Sequence, residues 1–292
     1  MQNRIHAHLV GLVLAACVRG AWAETTVDPA HAYAYAANAG WVNAAGDVSH
    51  GMQIGTSYCA GFLWSPALGW IGLGSAPTNG WLYTNLSADD WGVNHDGLGR
   101  LTGYAYGANI GWVNFEQTYG KPRVDLRTGV MSGAAWSPNV GWITFSNAVA
   151  HVRMARLETG PDSDGDGIGD PWEYQMAGGL TRLQAGGSDW DEDGVPDLAE
   201  FWAGTDPLDA LSGLRISQFA RSGGLDQVTW PGLPTRLYRL EWRASLAAGD
   251  GWSDSGAGVI SGSKKGNLIR TVAAPEAAQR FYRVRALMPF SE

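Results

Sequence analysis

The chain has 292 residues, long enough for two or three domains, with 28 acidic and 20 basic side chains and two cysteines. A net charge of −8 argues against nucleic acid as a partner, and with Cys59 alone beyond residue 17 there is no pair left for an internal disulfide. The charge is uneven: residues 24–150 carry 8 acidic and 4 basic side chains, 151–213 carry 14 and 3, and 214–292 carry 6 and 11.

The first 23 residues, MQNRIHAHLVGLVLAACVRGAWA, have the form of an export signal. Arg4 lies in a polar start, an apolar run extends from Leu9 to Cys17, and Ala21 and Ala23 supply an A-x-A cleavage signal. The run is about half the ~20 residues that a membrane span requires. Export with Glu24 as the mature start is expected. An alternative is open, because Leu14-Ala15-Ala16-Cys17 resembles the lipobox of bacterial lipoproteins, in which the cysteine is acylated. Membrane attachment follows only if Cys17 is lipidated. Cys59 lies in the apolar stretch SYCAGFLW and reads as a buried small hydrophobe rather than a catalytic thiol.

Residues 24–150 repeat. Aligned on Gly-Trp, the units are AYAYAANAGWVNA from Ala32, GFLWSPALGWIGL from Gly61, GYAYGANIGWVNF from Gly103 and GAAWSPNVGWITF from Gly133. The shared pairs are Gly40-Trp41, Gly69-Trp70, Gly111-Trp112 and Gly141-Trp142, offset by 29, 42 and 30 residues. Within a unit, alternation such as Tyr104 and Tyr106 predicts a strand, Gly-Ala-Asn or Ser-Pro-Asn a turn, and Trp-Val-x-Phe a returning strand. One hairpin cannot bury itself, so the units are expected to pack into one antiparallel sheet system, with the tryptophans in a shared core. The other reading has tryptophan faces stacking on sugar rings, as in a lectin. The pattern resembles the GYAWSxNIGWINF repeats of exported bacterial proteins, a resemblance that implies an extracellular location and names no ligand.

The middle segment holds two twelve-residue acidic loops, DSDGDGIGDPWE from Asp162 and DWDEDGVPDLAE from Asp189, starting 27 residues apart. Asp162, Asp164, Asp166, Asp170 and Glu173 stand at positions 1, 3, 5, 9 and 12 of the first, with Gly167 at position 6. Asp189, Asp191, Asp193, Asp197 and Glu200 repeat the spacing around Gly194. This is the calcium-loop pattern: hard Ca²⁺ takes six to eight oxygens at about 2.4 Å, and alternate residues of a tight loop point inward. Ile168 and Val195 at position 7 are expected to add backbone carbonyls, and the closing glutamates both oxygens. Two Ca²⁺ sites are expected. After each loop, Asp-Pro-Trp-Glu and Asp-Leu-Ala-Glu read as capping boxes that start short exit helices, with Asp170 and Asp197 as N-caps and Gly178 and Gly204 as stops. The half-hands, with GTDPLD following, resemble thrombospondin type 3 calcium repeats. Gly169 and Pro196 occupy position 8 where an apolar residue is usual, which argues for a structural linker rather than a sensor switch.

From Leu214 onward, LRISQFAR, DQVTWPG, RLYRLEWRAS, LIRTV and RFYRVRAL are strand-like and separated by Gly, Pro and Ser. A small β-sandwich of fibronectin or immunoglobulin type is expected, and the FYRV ending resembles a module found behind such calcium repeats in secreted bacterial proteins. The whole reads as mainly β. A signal peptide (1–23) precedes an antiparallel β-repeat domain (24–156), a linker of paired calcium loops with short helices (157–213) and a β-sandwich (214–292). No nucleophile, base and orienting acid come together in the sequence. The expected function is that of a secreted or cell-surface calcium-binding structural or adhesion protein without catalytic activity. Its partner would be an extracellular ligand such as a polysaccharide or another surface protein. A carbohydrate-binding lectin is the first alternative, and an enzyme whose site is assembled from distant residues the second.

Overall fold

The structure is a computed structural model that describes residues 24–292 apart from 47, 48, 248, 250, 275–278, 291 and 292; the signal segment and Cys17 lie outside the described residues. The fold is mainly β. Fourteen strands come first: β1 (Val27–Ala36), β2 (Gly40–Asn43), β3 (Gln53–Ile54), β4 (Cys59–Ala60), β5 (Phe62–Ser65), β6 (Gly69–Gly72), β7 (Val93–His95), β8 (Leu101–Gly107), β9 (Gly111–Asn114), β10 (Arg123–Val124), β11 (Met131–Ser132), β12 (Ala134–Ser137), β13 (Gly141–Thr144) and β14 (Val152–Met154). Helices α1 (Asp170–Ala177) and α2 (Asp197–Ala203) follow. Six more strands are β15 (Gln218–Ser222), β16 (Leu225–Pro231), β17 (Leu237–Arg243), β18 (Ser253–Ser261), β19 (Asn267–Ala273) and β20 (Phe281–Leu287).

Each Gly-Trp unit forms one hairpin: β1–β2, β5–β6, β8–β9 and β12–β13. The hairpins join through β2–β5, β6–β8 and β9–β12, and β13 returns to β1 with Tyr35 opposite Thr144 and Ala36 opposite Ile143. The units therefore close into an eight-stranded antiparallel barrel instead of lying as an open array of repeats. Closure removes the unpaired edges that an open sheet would expose. The shared glycine has a backbone reason. Each turn carries an i to i+3 bond, from Ala39 to Ala36, Leu68 to Ser65, Ile110 to Gly107 and Val140 to Ser137, and the glycine that follows has φ between 70° and 84°. A type I turn followed by a left-handed residue is a common short hairpin connection, and glycine takes that conformation without strain.

The turn asparagines tie the hairpins together at one end of the barrel. The side-chain amides of Asn38, Asn109 and Asn139 donate to the carbonyls of Val140, Leu68 and Ile110 at 3.0, 3.2 and 3.0 Å. The second unit has Ala67 at this place, so the link that would join it to the first is missing.

The expectation that the tryptophans fill a core is overturned. Trp41, Trp64, Trp70 and Trp112 lie on the outside, 38 to 45 % exposed, together with Tyr33, Tyr35, Phe62 and Tyr106. The interior holds Ala34, Ala36 and Ala105 against Val42, Leu63, Ile71, Val113 and Ile143. Strand alternation sends one of two faces inward, and an eight-stranded barrel has a bore only wide enough for side chains to fill. Alanine alternating with aromatics on one strand, and valine or isoleucine on the next, suits that bore; indoles do not.

The rest of the first domain extends this core through Met52, Ile54, Cys59, Leu101, Val124 and Met131. Cys59 is fully buried, and burial pushes its thiol pKa far up, which leaves it inert. Beyond α2, sheets β15-β16-β19 and β18-β17-β20 contribute to one core of Val228, Trp230, Tyr238, Leu240, Ile260, Leu268 and Val272. Contacts among the described residues bind the parts together. Arg236, ahead of β17, donates to the carbonyls of Phe201 and Trp202 at 2.7 and 3.0 Å, capping α2 at its C-terminus, where a cation is favoured. Phe290 packs into the barrel's core cluster, and its N–H donates to the Leu126 carbonyl at 3.3 Å.

Candidate metal centre

The two acidic loops fold on the same bond pattern. Position 1 accepts from the backbone ahead of it: Asp162 from the N–H groups of Gly165, Asp166 and Gly167 at 2.8 to 3.1 Å, and Asp189 from those of Asp193 and Gly194 at 3.2 and 2.8 Å. Position 5 accepts from position 7, Asp166 from Ile168 and Asp193 from Val195, both at 2.8 Å. Position 6 is Gly167 or Gly194, each at φ 91°, where a side chain would be strained. The N–H of position 9 donates to the carbonyl just before the loop, Asp170 to Pro161 and Asp197 to Ser188, both at 2.8 Å. These short-range bonds bend the chain until carboxylates that repel one another share one small volume.

Carboxylate oxygens of Asp162, Asp164 and Asp166 lie within 4.8 Å of one another, as do those of Asp189, Asp191 and Asp193. The closing glutamates come from the helices. Glu173 of α1 is 0 % exposed, and neither of its oxygens has a hydrogen-bond partner. Burial first, then the charges of Asp164, Asp166, Asp170 and Asp162, push its carboxyl up to about 8. Glu200 of α2 is equally buried and pushed up to about 7, chiefly by burial and then by Asp191, Asp193 and Asp197. A hydrogen bond from the Thr205 hydroxyl at 2.9 Å offsets part of that rise, and the second oxygen of Glu200 has no partner. Burial and neighbouring aspartates also raise the carboxyls of Asp164 and Asp191. A buried carboxylate without a donor costs several kcal/mol unless it is protonated or meets a cation.

The aspartates at position 9 accept hydrogen bonds from within or beside their loops. Asp170 accepts from the Ser163 N–H at 2.7 Å and the Ser163 hydroxyl at 2.5 Å, and Asp197 from the N–H groups of Trp190 at 2.9 Å and Gln184 at 3.3 Å. Their oxygens fasten the loop across itself. They are not N-caps: the caps are Gly169 and Pro196, without a side-chain cap bond, and both aspartates are the first helical residues. The side chain of Ile168 is buried with Leu183 and Phe201 in a small core that Trp172, Met176 and Leu198 surround, and Val195 is half-buried. For these two residues only the main-chain carbonyl is chemically able to serve an ion.

Sequence reading missed three participants. Thr205 supports Glu200, and the adjacent N–H groups of Gln184 and Ala185 reach one loop each, Ala185 donating to Asp166 at 2.8 Å. Backbone donors leave no trace in residue type. Thr205 does have a signal, since it follows Glu200 by five residues where the first loop has Gly178 after Glu173.

No family model, curated protein or solved structure matches the chain. A cavity of 390 Å³ between the barrel, the loops and the last domain is lined by Ser57, His95, Asp96, Trp172 and Arg236 among others. Its histidine is not poised for proton transfer: Nδ1 donates to the Gly55 carbonyl at 2.7 Å, and Nε2 accepts from the Gly99 N–H at 3.1 Å. Burial lowers the pKa of His95, so the ring is held neutral by the backbone rather than serving as a base. Asp96 accepts from the N–H groups of Leu98 and Arg100.

Proposed function

We propose that the protein is an exported, calcium-binding structural or adhesion protein of the cell surface or extracellular space, without catalytic activity. In this reading two Ca²⁺ ions, one per loop, hold the segment between two β domains. The observation that carries it is Glu173: a buried carboxylate with two unpartnered oxygens, its pKa raised by burial and by the charges of the clustered aspartates, which a bound cation would allow to ionise. The donor set is all oxygen, which suits Ca²⁺ rather than the metals that select histidine or thiolate. Asp162, Asp164, Asp166 and Glu173 would hold one ion and Asp189, Asp191, Asp193 and Glu200 the other, with carbonyl oxygens of Ile168 and Val195 available to both shells. Export rests on the pattern of residues 1–23; among the described residues, no helix is long and apolar enough to cross a membrane.

The test is calorimetric titration of Ca²⁺ into chelator-stripped protein, alongside limited proteolysis. Two sites and protection of residues 160–213 are expected. No binding at millimolar calcium, with equal cleavage in its presence and absence, overturns the reading. A second reading, carbohydrate binding by the repeat domain, is favoured by the exposure of the repeat tryptophans.

A further inference from the structure

We propose that the third barrel unit carries a binding site for the pyranose rings of a neutral polysaccharide, in the corner formed by Trp91 and Trp112. The proposal rests on the second reading above and gives it a place and a ligand class.

The four hairpins carry similar aromatic faces, but one was built further. The Gly-Trp offset of 42 residues between the second and third units, against 29 and 30 elsewhere, places about a dozen extra residues in the connection from β6 to β7. The longer connection is held in place. Asp90, buried at 4 % exposure, accepts from the Thr78 and Thr84 N–H groups at 3.1 and 2.9 Å and from the Thr84 hydroxyl at 2.5 Å. Tyr83 is buried too, with its hydroxyl donating to the Cys59 carbonyl at 3.3 Å. A segment anchored this firmly holds a fixed shape, and what it presents is a wall against the barrel's aromatics.

Trp91 meets Trp112 at 5.4 Å between ring centroids and 84° between planes, and Tyr104 meets Trp112 at 6.2 Å and 79°. Two indoles at right angles make a corner, where a ring lying flat on one meets the other at its edge. Together with Asn85, Leu86 and Ser87 these rings line a hollow of 520 Å³, within the range of small-molecule sites. Leu86 is 89 % exposed, a large apolar side chain held out beside the hollow.

The chemistry selects the occupant. Aromatic faces attract the apolar C–H faces of a sugar ring, and Ser87 offers a hydroxyl to its polar edge, while the Asn85 amide braces the wall through the Gly92 N–H and the Tyr83 carbonyl at 3.0 and 3.4 Å. No charged side chain lines the hollow, and the four hairpin stretches contain no Asp, Glu, Lys, Arg or His. A phosphate, sulfate or uronate would find no counter-charge. Exposed Asp89, next to the lining residue Ala88, opposes an anionic lipid surface as well.

The test measures binding of soluble mixed-linkage β-glucan, galactomannan and dextran to the full chain by affinity electrophoresis and by quenching of tryptophan fluorescence. Polygalacturonate serves as the charged comparison. Wild type should bind at least one neutral polymer. Trp91→Ala and Trp112→Ala should each weaken it about tenfold or more, as loss of a central aromatic anchor does, while Trp91→Phe retains most of it. Trp41→Ala and Trp70→Ala, in other units, should bind like wild type. Melting curves of every variant separate lost folding from lost contact, and if Trp91→Ala melts early, Leu86→Asp puts a charge beside the hollow without removing a ring. Binding that survives Trp91→Ala and Trp112→Ala but fails in Trp41→Ala or Trp70→Ala overturns this site and leaves carbohydrate binding by the barrel standing. No binding to any neutral polymer overturns both, and binding to polygalacturonate alone overturns the ligand class.

Discussion

Replacing Glu173 with glutamine should affect the calcium-free and calcium-loaded protein in opposite directions. The folded carboxyl lies at about 8 against its ordinary 4.5. Between those values the calcium-free folded state holds a proton that the unfolded chain has released, so its stability falls as pH rises from about 5 to 8. The slope is at most about 1.4 kcal/mol per pH unit, reduced to the extent that the metal-free loop opens to water. Glu173→Gln cannot ionise, so its calcium-free melting temperature should fall less steeply with pH and exceed that of wild type at pH 8.5. Calcium reverses the order. In wild type the ion displaces the proton, so affinity at the first loop should weaken about tenfold for each pH unit below 8. Glu200 lies lower, at about 7, and the second loop should keep its ion to a more acid pH. Glu173→Gln offers one neutral oxygen where wild type offers a carboxylate, so it should lose the first site. The assay is calcium titration calorimetry at pH 6, 7 and 8.5 in buffers of different ionisation enthalpy, which counts protons released, with melting curves in chelator. Affinity independent of pH, no proton release, or a parallel pH slope in the two apo proteins would refute the reasoning.

Three other outcomes follow from the geometry. Trp112→Ala should change barrel stability by less than about 1 kcal/mol, because the ring is largely outside, whereas Ala105→Leu should cost about 1 to 3 kcal/mol by overfilling the bore; urea unfolding compares them. Ala67→Asn should supply the missing amide link to the first unit and stabilise by about 0.5 to 1.5 kcal/mol, while Asn109→Ala removes a link and costs a similar amount, both read as shifts in unfolding midpoint. Arg236→Met should leave the Phe201 and Trp202 carbonyls without their cation and cost about 2 to 3 kcal/mol, visible as faster proteolysis near Gly204 at fixed calcium.

What could be read in advance divides by the range of the forces involved. The two acidic loops are made by bonds spanning two to five residues, such as Asp162 to Gly167 and Asp166 to Ile168, and their residue spacing carries that geometry directly. The role of Asp170 does not show in the spacing of the carboxylates, because its partners are the N–H of Ser163, which any residue provides, and the Ser163 hydroxyl, which the calcium-loop pattern does not specify. The strands of the barrel follow from alternation, and the turn glycines mark the hairpins. Alternation alone cannot say which face turns inward: AYAYA is as regular with tyrosine inside as with alanine inside. The choice is made by closure, through Tyr35 meeting Thr144 after 109 residues of chain, and closure is a property of all eight strands at once.

Phe290 changes the mechanical meaning of the middle segment. A linker between two domains ordinarily carries every force that passes between them, and its weakest loop sets the load at which they part. Here the last domain is held through α2 and Arg236 on one side and, on the other, through Phe290, which packs against the first domain's core cluster. The two paths run in parallel, so tension is shared: if the loops hold calcium as proposed, losing it would slacken one path and shift the load to the other, where Phe290 is the anchor.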